Sequence, residues 1–169
     1  WLFRSFALLL LLTLVSTWKA IELLARSPGA QPVAFAFGGE ARPDDYARVI
    51  ADAGLLALMA CLGLAQASHE VTPMAVQLCM VSLMFCGLAG LGSHRTWLHL
   101  ALTVVGLVGL SLSGAPTLSL IMGVCAMAVV ALDVSLAQNR TVILIVMGLA
   151  LGVAMVLAQS LNQIGRAHV

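Results

Sequence analysis

Long stretches without charge constrain this chain more than any other feature of its sequence. From Thr141 to Leu161 it carries no Asp, Glu, Lys or Arg, and apolar residues do not alternate there with polar ones. An α-helix needs about 20 mainly apolar residues to cross the roughly 30 Å hydrocarbon core of a bilayer. Because lipid offers the backbone no hydrogen-bond partners, a spanning segment must satisfy its own backbone groups as a helix does. The stretch therefore predicts a transmembrane helix.

Apolar stretches of this kind recur along the whole chain. Of its residues 62% are hydrophobic and 9% are charged, whereas about a quarter of a soluble domain is charged. We therefore expect an all-α fold, a polytopic transmembrane helix bundle of about six spans, and not a soluble globular protein. The predicted spans are Ser5–Ala25, Tyr46–Ala67, Pro73–Gly92, Thr96–Leu112, Pro116–Ala137 and Thr141–Leu161.

One transmembrane domain is expected over residues 1–163. Its longest connection, residues 26–45, is polar and contains three prolines, and we expect it to lie at the membrane interface. The chain begins at Trp1 without a methionine, and residues 164–169 resemble the translation of a sequencing adapter. These two features predict a fragment of a longer protein with a short non-native tail, which we set apart from functional reasoning.

Basic residues alternate between the connections. The first connection contains Arg26 and Arg42, the third Arg95 and the fifth Arg140, whereas the second and fourth contain no Lys or Arg. Cytoplasmic loops carry the excess of basic residues in membrane proteins. We therefore predict that the loops with Arg95 and Arg140 are cytoplasmic, and the composition favours a bacterial inner (plasma) membrane.

A faint internal repeat relates two of the predicted hairpins. Pro73 and the pair Arg95-Thr96 are followed about 45 residues later by Pro116 and the pair Arg140-Thr141. Some transporters are built from such parallel repeats. The other interpretation is that any two hairpins that obey the same charge rule look alike.

Few ionisable residues fall inside the predicted spans. Lys19, Asp52 and Asp133 are expected within about two turns of the cytoplasmic ends of their helices. One hypothesis is a polar cluster of these three residues that binds an ion or a polar solute. The other is that they are solvated or locally paired helix ends, since Arg48 and Asp52 stand one turn apart.

Glycines supply the clearest helix-packing signal. Gly148 and Gly152 form a G-x-x-x-G pattern inside an apolar helix, which allows two helix backbones to approach closely. Gly87 and Gly106 provide similar flat positions in the third and fourth predicted spans. The pattern indicates tight packing within the bundle or against another subunit.

Cysteine, histidine and serine residues form no recognisable catalytic or metal-binding pattern. The four cysteines contain no C-x-x-C pair, and cysteines in apolar spans are ordinary packing residues. His99 has no second histidine at a matching depth for a haem, and the serines lack a histidine base at an interpretable spacing. We predict no cofactor, no metal site and no catalytic residue, so an enzyme is not expected.

Several functions fit these features. The first is transport, in which a small solute moves between packed helix hairpins. The second is a non-catalytic membrane subunit that anchors or stabilises a larger complex, and a third is the membrane input module of a sensor. The expected partners are the lipid bilayer and other membrane subunits or a second copy. The net charge of +1 offers no basic surface for nucleic acid.

Overall fold

The computed structural model describes the backbone of residues 2–31, 41–61, 73–93 and 95–167, and the side chains of residues 5–31, 41–61, 73–93 and 95–161. These residues form six α-helices, two 3-10 turns and no β-strand, so the predicted all-α fold is confirmed. The helices are α1 (Leu2–Ala25), α2 (Pro43–Met59), α3 (Pro73–Ala89), α4 (Thr96–Leu112), α5 (Pro116–Leu132) and α6 (Arg140–Ala167), and the 3-10 turns are Pro28–Ala30 and Val134–Leu136.

The helices differ in length and in apolar content. Within α1 and α6, the segments Ser5–Ala25 and Arg140–Leu161 are long and apolar enough to cross a membrane. α3, α4 and α5 are apolar helices of 17 residues each, which at 1.5 Å per residue is about 25 Å. α2 also has 17 residues and carries Asp44 and Asp45 in its first turn.

Prolines mark several helix starts. Pro43, Pro73 and Pro116 are the first residues of α2, α3 and α5. Proline is tolerated at this position because the first turn leaves its backbone N–H groups unpaired and because the proline φ angle is helical. α4 has the bounds Thr96–Leu112 that the sequence predicts.

The predicted end of the fifth span is wrong. α5 stops at Leu132 instead of continuing to Ala137, because Asp133 takes an extended backbone with φ −74° and ψ 113°. The Asp133 carboxylate accepts a hydrogen bond of 2.8 Å from the N–H of Ser135 and so begins the second 3-10 turn. A short polar turn therefore replaces the last turn of the predicted span.

Parts of other predictions lie outside the described residues. The last part of the predicted span Tyr46–Ala67, residues 62–67, and residues 32–40 of the long connection are among them. At the other end of the chain, α6 continues through residues 164–167 of the segment with the adapter-like sequence.

The helices pack as two groups, one around α1 and one around α4. α1 contacts both α2 and α3, α3 packs against α4, and α4 contacts α5 and α6, which also contact each other. α1 and α3 run in parallel, since Thr13 faces Cys79 and the Ser16 hydroxyl donates to that of Ser82 at 2.8 Å. The turns after α3 and α5 lie side by side at one end of the bundle, where a Cβ on Gly92 would be 3.5 Å from a side-chain oxygen of the α5–α6 connection.

Apolar side chains fill the space between α3, α4, α5 and α6. Eight of them come from the inward faces of these four helices, one comes from the turn after α3, and one comes from the 3-10 turn after α5. The buried cluster consists of Met84, Leu91, Leu100, Leu107, Ala126, Val130, Leu136, Ile143, Met147 and Leu151.

Glycines bring the backbones of α3 and α4 into direct contact. A Cβ atom on Gly87 would lie 2.5 Å from the carbonyl oxygen of His99 and 2.5 Å from the backbone nitrogen of Thr103. A Cβ atom on Gly106 would lie 2.7 Å from the carbonyl oxygen of Met80. Real Cβ atoms do not approach backbone this closely, so any larger residue at either position forces the two helices apart.

Substitution of Gly87 by alanine tests this contact. We expect Gly87→Ala to lower the free energy of unfolding by about 1–3 kcal/mol, because the added methyl group overpacks a backbone contact. Gly29→Ala is the control, since nothing lies within 4 Å of a Cβ built on Gly29 and its φ is not positive. The control should be neutral or stabilising by up to about 1 kcal/mol, because alanine has less conformational freedom to lose on folding than glycine. Unfolding of detergent-solubilised protein measures both, and equal effects would contradict the proposed contact.

Candidate functional site

A group of four charged residues joins the end of α1 to the start of α2. Glu22 is 3% exposed and forms ion pairs with Lys19 and with Arg26, the second at 2.7 Å. Arg26 also lies 3.5 Å from a carboxylate oxygen of Asp44. We call these residues, Lys19, Glu22, Arg26 and Asp44, the α1 charge cluster. Its two cations and two carboxylates balance, so the buried Glu22 carboxylate is fully compensated.

Trp18 connects two of the residues that the sequence predicted as a polar cluster. Its indole N–H donates a hydrogen bond of 2.8 Å to the carboxylate of Asp52 on α2. The ammonium group of Lys19 lies 5.7 Å from the centre of the Trp18 ring, within cation–π distance. Lys19 and Asp52 thus meet through a tryptophan at the α1–α2 contact.

Asp133 has a different position and a different role. It lies between α5 and the second 3-10 turn, and its carboxylate accepts from the N–H of Ser135. Lys19 pairs with Glu22, and Asp52 accepts from Trp18. Trp18 therefore contacts both Lys19 and Asp52, and Asp133 caps the second 3-10 turn. An Asp-x-Ser sequence at a helix end is the local signal for such a cap.

The two glycines of the G-x-x-x-G pattern face away from the bundle. Nothing lies within 4 Å of a Cβ built on Gly148 or Gly152. The side of α6 that faces the bundle carries Ile143, Met147 and Leu151, which are buried in the core. An open, apolar groove of about 410 Å³ follows the glycine face, and we call it the α6 groove. It is lined by Gly148, Leu149, Gly152, Val153, Val156 and Leu157.

Single hydrogen bonds connect neighbouring helices. Each joins a side chain of one helix to a group on or beside the next, and in all but the Trp18–Asp52 bond the acceptor is a serine hydroxyl or a backbone carbonyl. From α1–α2 to α5–α6 they are Trp18 to Asp52 (2.8 Å), Ser16 to Ser82 (2.8 Å), Gln77 to the Ser113 carbonyl (3.2 Å), Ser119 to the Leu107 carbonyl (2.8 Å) and Arg140 to the Ala131 carbonyl (3.0 Å).

The serines of this set were not predicted as contacts between helices. Ser16, Ser82 and Ser119 are all buried. A hydroxyl in an apolar segment has to find an acceptor, either on its own helix or on a neighbour. Isolated serines within predicted spans were therefore an available signal, although the sequence alone does not say which helix supplies the acceptor.

A second cavity lies at the turn between α4 and α5. It has a volume of about 390 Å³, and Ser111, Gly114, Pro116 and Leu161 are among the residues that line it. Ser111 is 2% exposed, and its hydroxyl has no hydrogen-bond partner among the described residues. The sequence offers no signal for this cavity, because α4, α5 and the end of α6 form it together.

Soft or nitrogen ligands for a metal do not converge in the described part of the chain. There, no group of three or more His, Cys, Asp or Glu residues could hold a metal ion. Cys79 and Cys86 are buried on α3, and Cys61 and Cys125 are exposed. His99 packs against Gly90, and its Nδ1 has no partner among the described residues.

The contacts of the described residues join helices to one another. The α1 charge cluster is internally neutral, the interhelical hydrogen bonds hold helices to their neighbours, and the α6 groove offers a flat apolar surface. No protein-family model, curated protein or solved structure matches the chain.

Proposed function

We propose that this chain is an integral membrane protein whose six helices all lie across or within a bilayer. The observation that supports this most is the number of large apolar side chains that face outward on every helix. Soluble monomers rarely expose contiguous apolar patches larger than a few hundred Å², whereas lipid tails cover such side chains without cost. Examples from successive helices are Leu8 (65% exposed), Leu56 (63%), Phe85 (46%), Val105 (53%), Ile121 (55%) and Leu149 (66%).

The shorter helices fit this proposal. A span requires roughly 17–25 residues, and α3, α4 and α5 have 17 each. α2 begins with the exposed residues Asp44 and Asp45, which suit the headgroup region, and its apolar residues follow. The ends that carry Arg95 and Arg140 then face the cytoplasm of a bacterial-type inner membrane.

Within the membrane, the proposed role is that of a non-catalytic subunit that assembles through the α6 groove. The carrying observation is that Gly148 and Gly152 lie open on the outer surface, near the middle of the segment Arg140–Leu161. Large side chains cover most of the remaining outer surface of α6, including Val142 and Ile145. A flat position at mid-span permits the close backbone approach that stabilises helix pairs in lipid.

The proposed occupant of the groove is the α6 groove of a second copy. A two-fold contact places the same patch on both subunits, so the patch has to be complementary to itself. Two flat glycine faces meet this condition, because each lets the other approach. No charged residue occurs between Thr141 and Leu161, so the two helices meet without charge repulsion. A helix of a different membrane protein is the alternative occupant.

Transport of a small solute between hairpins is the second candidate function. The observation that favours it is Glu22, a carboxylate that is 3% exposed within a predicted span. Buried ionisable groups in membranes often belong to ion or proton pathways. Under the first proposal, by contrast, Glu22 serves to hold Lys19 and Arg26 at the end of α1.

Reporter fusions test the membrane topology. A cytoplasmic fluorescent reporter fused after Arg95 or Arg140 should be active, and an exported phosphatase fused after Glu70 should be active. The physical reason is that basic residues are retained on the cytoplasmic side. Recovery of the chain in the soluble fraction, or the reverse pattern of reporter activity, would contradict the proposal.

Gly152→Leu tests the α6 groove. We expect the substitution to weaken dimers in lipid vesicles about 5- to 150-fold, since overpacking of a close contact costs about 1–3 kcal/mol. Val142→Leu is the matched control, because Val142 is exposed on α6 outside the groove. Energy transfer between labelled copies measures the change. A wild-type chain that stays monomeric at high density in the bilayer would eliminate the second copy as the occupant.

Glu22→Gln separates the two candidate functions. With a non-catalytic subunit, vesicles that contain the wild type or this nearly isosteric variant should show the same proton and potassium fluxes as empty vesicles. The substitution should lower stability by no more than about 1 kcal/mol, because the cations that lose their partner, Lys19 and Arg26, are 48% and 43% exposed and remain solvated. Flux in the wild type that disappears in folded Glu22→Gln protein would favour transport instead.

A further inference from the structure

Gln159 is a polar residue of α6 whose side chain has no partner in the described part of the chain. It lies in the apolar segment Arg140–Leu161 and is exposed, and its amide forms no hydrogen bond with any described residue. Gln77 on α3, by contrast, donates to the Ser113 carbonyl at 3.2 Å. An amide that faces lipid without a partner is costly. A hydrogen-bonding partner outside the chain would therefore stabilise Gln159.

Gln159 lies on the same side of α6 as the two glycines of the groove. It follows Gly148 by 11 residues and Gly152 by 7 residues. At about 100° per residue, these offsets place Gln159 within about 20° of each glycine around the helix axis. The residues that line the α6 groove end at Leu157, so Gln159 stands just beyond the end of the groove. A helix that packs on the glycines therefore passes close to Gln159.

The symmetry of a membrane dimer brings two Gln159 side chains to the same place. Copies of one chain enter the membrane with the same orientation, so a two-fold axis between them lies along the membrane normal. The two α6 helices then run in parallel, and equal residues lie at equal depth. A side-chain amide is both a donor and an acceptor, so two identical amides satisfy each other. The glutamine side chain is long and can bridge helices that diverge beyond the glycine contact.

We propose that the Gln159 amides of two copies pair with each other and set the register of the α6 dimer. The inference rests on the proposed assembly of two copies through the α6 groove. Apolar contacts in the groove are not directional, so they leave one helix free to slide along the other. A single polar residue at a helix–helix contact can fix register. The glycines thus determine how closely the two helices approach, and Gln159 determines how they align.

Replacement of the amide by an apolar side chain tests the pair. Gln159→Leu should weaken dimers of the full chain in lipid vesicles about 3- to 8-fold, the effect of losing one or two hydrogen bonds between membrane helices. Ser160→Ala is the matched control, because Ser160 is exposed near the same end of α6 and bonds to Leu157 of its own helix. The control should dimerise like the wild type. Energy transfer between labelled copies measures the association.

Gln159→Glu gives a signature that a purely structural role lacks. A protonated carboxyl group donates and accepts as the amide does, whereas two ionised carboxylates repel each other. The variant should therefore dimerise like the wild type at acidic pH and dissociate at neutral pH. The wild type has no ionisable side chain between Thr141 and Leu161, so its α6 contact should be equally strong at both.

Oxidative cross-linking in membranes locates the contact. With copper phenanthroline and air as the oxidant, Gln159→Cys should yield a disulfide-linked dimer, because parallel helices place the two thiols opposite each other. Ser160→Cys is the control at nearly the same depth. Its position lies about 100° further around the helix, so it should cross-link far less. The wild type measures the background from the exposed residues Cys61 and Cys125.

Two results would overturn the inference. The first is Gln159→Leu protein that dimerises as tightly as the wild type, and the second is Gln159→Cys protein that cross-links no better than Ser160→Cys. Either would show that Gln159 is an amide solvated in the headgroup region and not a contact between copies. Failure of the proposed assembly would look different, because the wild type would then stay monomeric at high density and Gly152→Leu would change nothing.

Discussion

The direct backbone contact between α3 and α4 is the constraint on which the rest of the structure depends. At Gly87 and Gly106 there is no space for a side chain, so the separation of these two helices is set by their backbones. α4 in turn contacts α5 and α6, and α3 contacts α1. The positions of α1, α5 and α6 therefore depend on the contact between α3 and α4. A shift of that contact would move Leu107 and Met147, which are fully buried between the later helices.

Hydrogen bonds from side chains determine which helices are neighbours and in which register they pack, which the apolar contacts alone leave open. Lipid tails are as apolar as leucine, so packing in a membrane gives helices little hydrophobic reason to choose one neighbour or one register. A hydroxyl such as that of Ser119 reaches only one carbonyl on the next helix, and the Trp18–Asp52 bond similarly relates α1 to α2. Between membrane helices such bonds contribute about 0.6 kcal/mol each on average. The bonds therefore matter more for which helices are neighbours and how they are aligned than for the free energy of unfolding.

Local signals in the sequence predicted the helices well and the site poorly. An apolar run between two short polar or flexible links predicted Thr96–Leu112 to the residue, because helix formation depends on neighbours along the chain. The end of α5 was mispredicted because an apolar run extends past Asp133, whose capping bond to Ser135 outweighs it. The sequence predicted Lys19, Asp52 and Asp133 at similar depths in the membrane. It could not predict which of them are close to each other, since depth along a helix says nothing about which helices are adjacent. The cavity beside Ser111 depends on three helices and had no local signal.

The glycines show how one sequence pattern takes two structural roles. Gly87 and Gly106 are closed by a neighbouring backbone, whereas Gly148 and Gly152 meet nothing within 4 Å. A glycine in a helix costs about 1 kcal/mol relative to alanine, and inside the bundle the α3–α4 contact offsets that cost. On α6 the described residues provide no such compensation, although the same surface is otherwise covered by valine, leucine and isoleucine. A close partner at the α6 groove would supply it, and this energetic imbalance is the physical argument for assembly through that face.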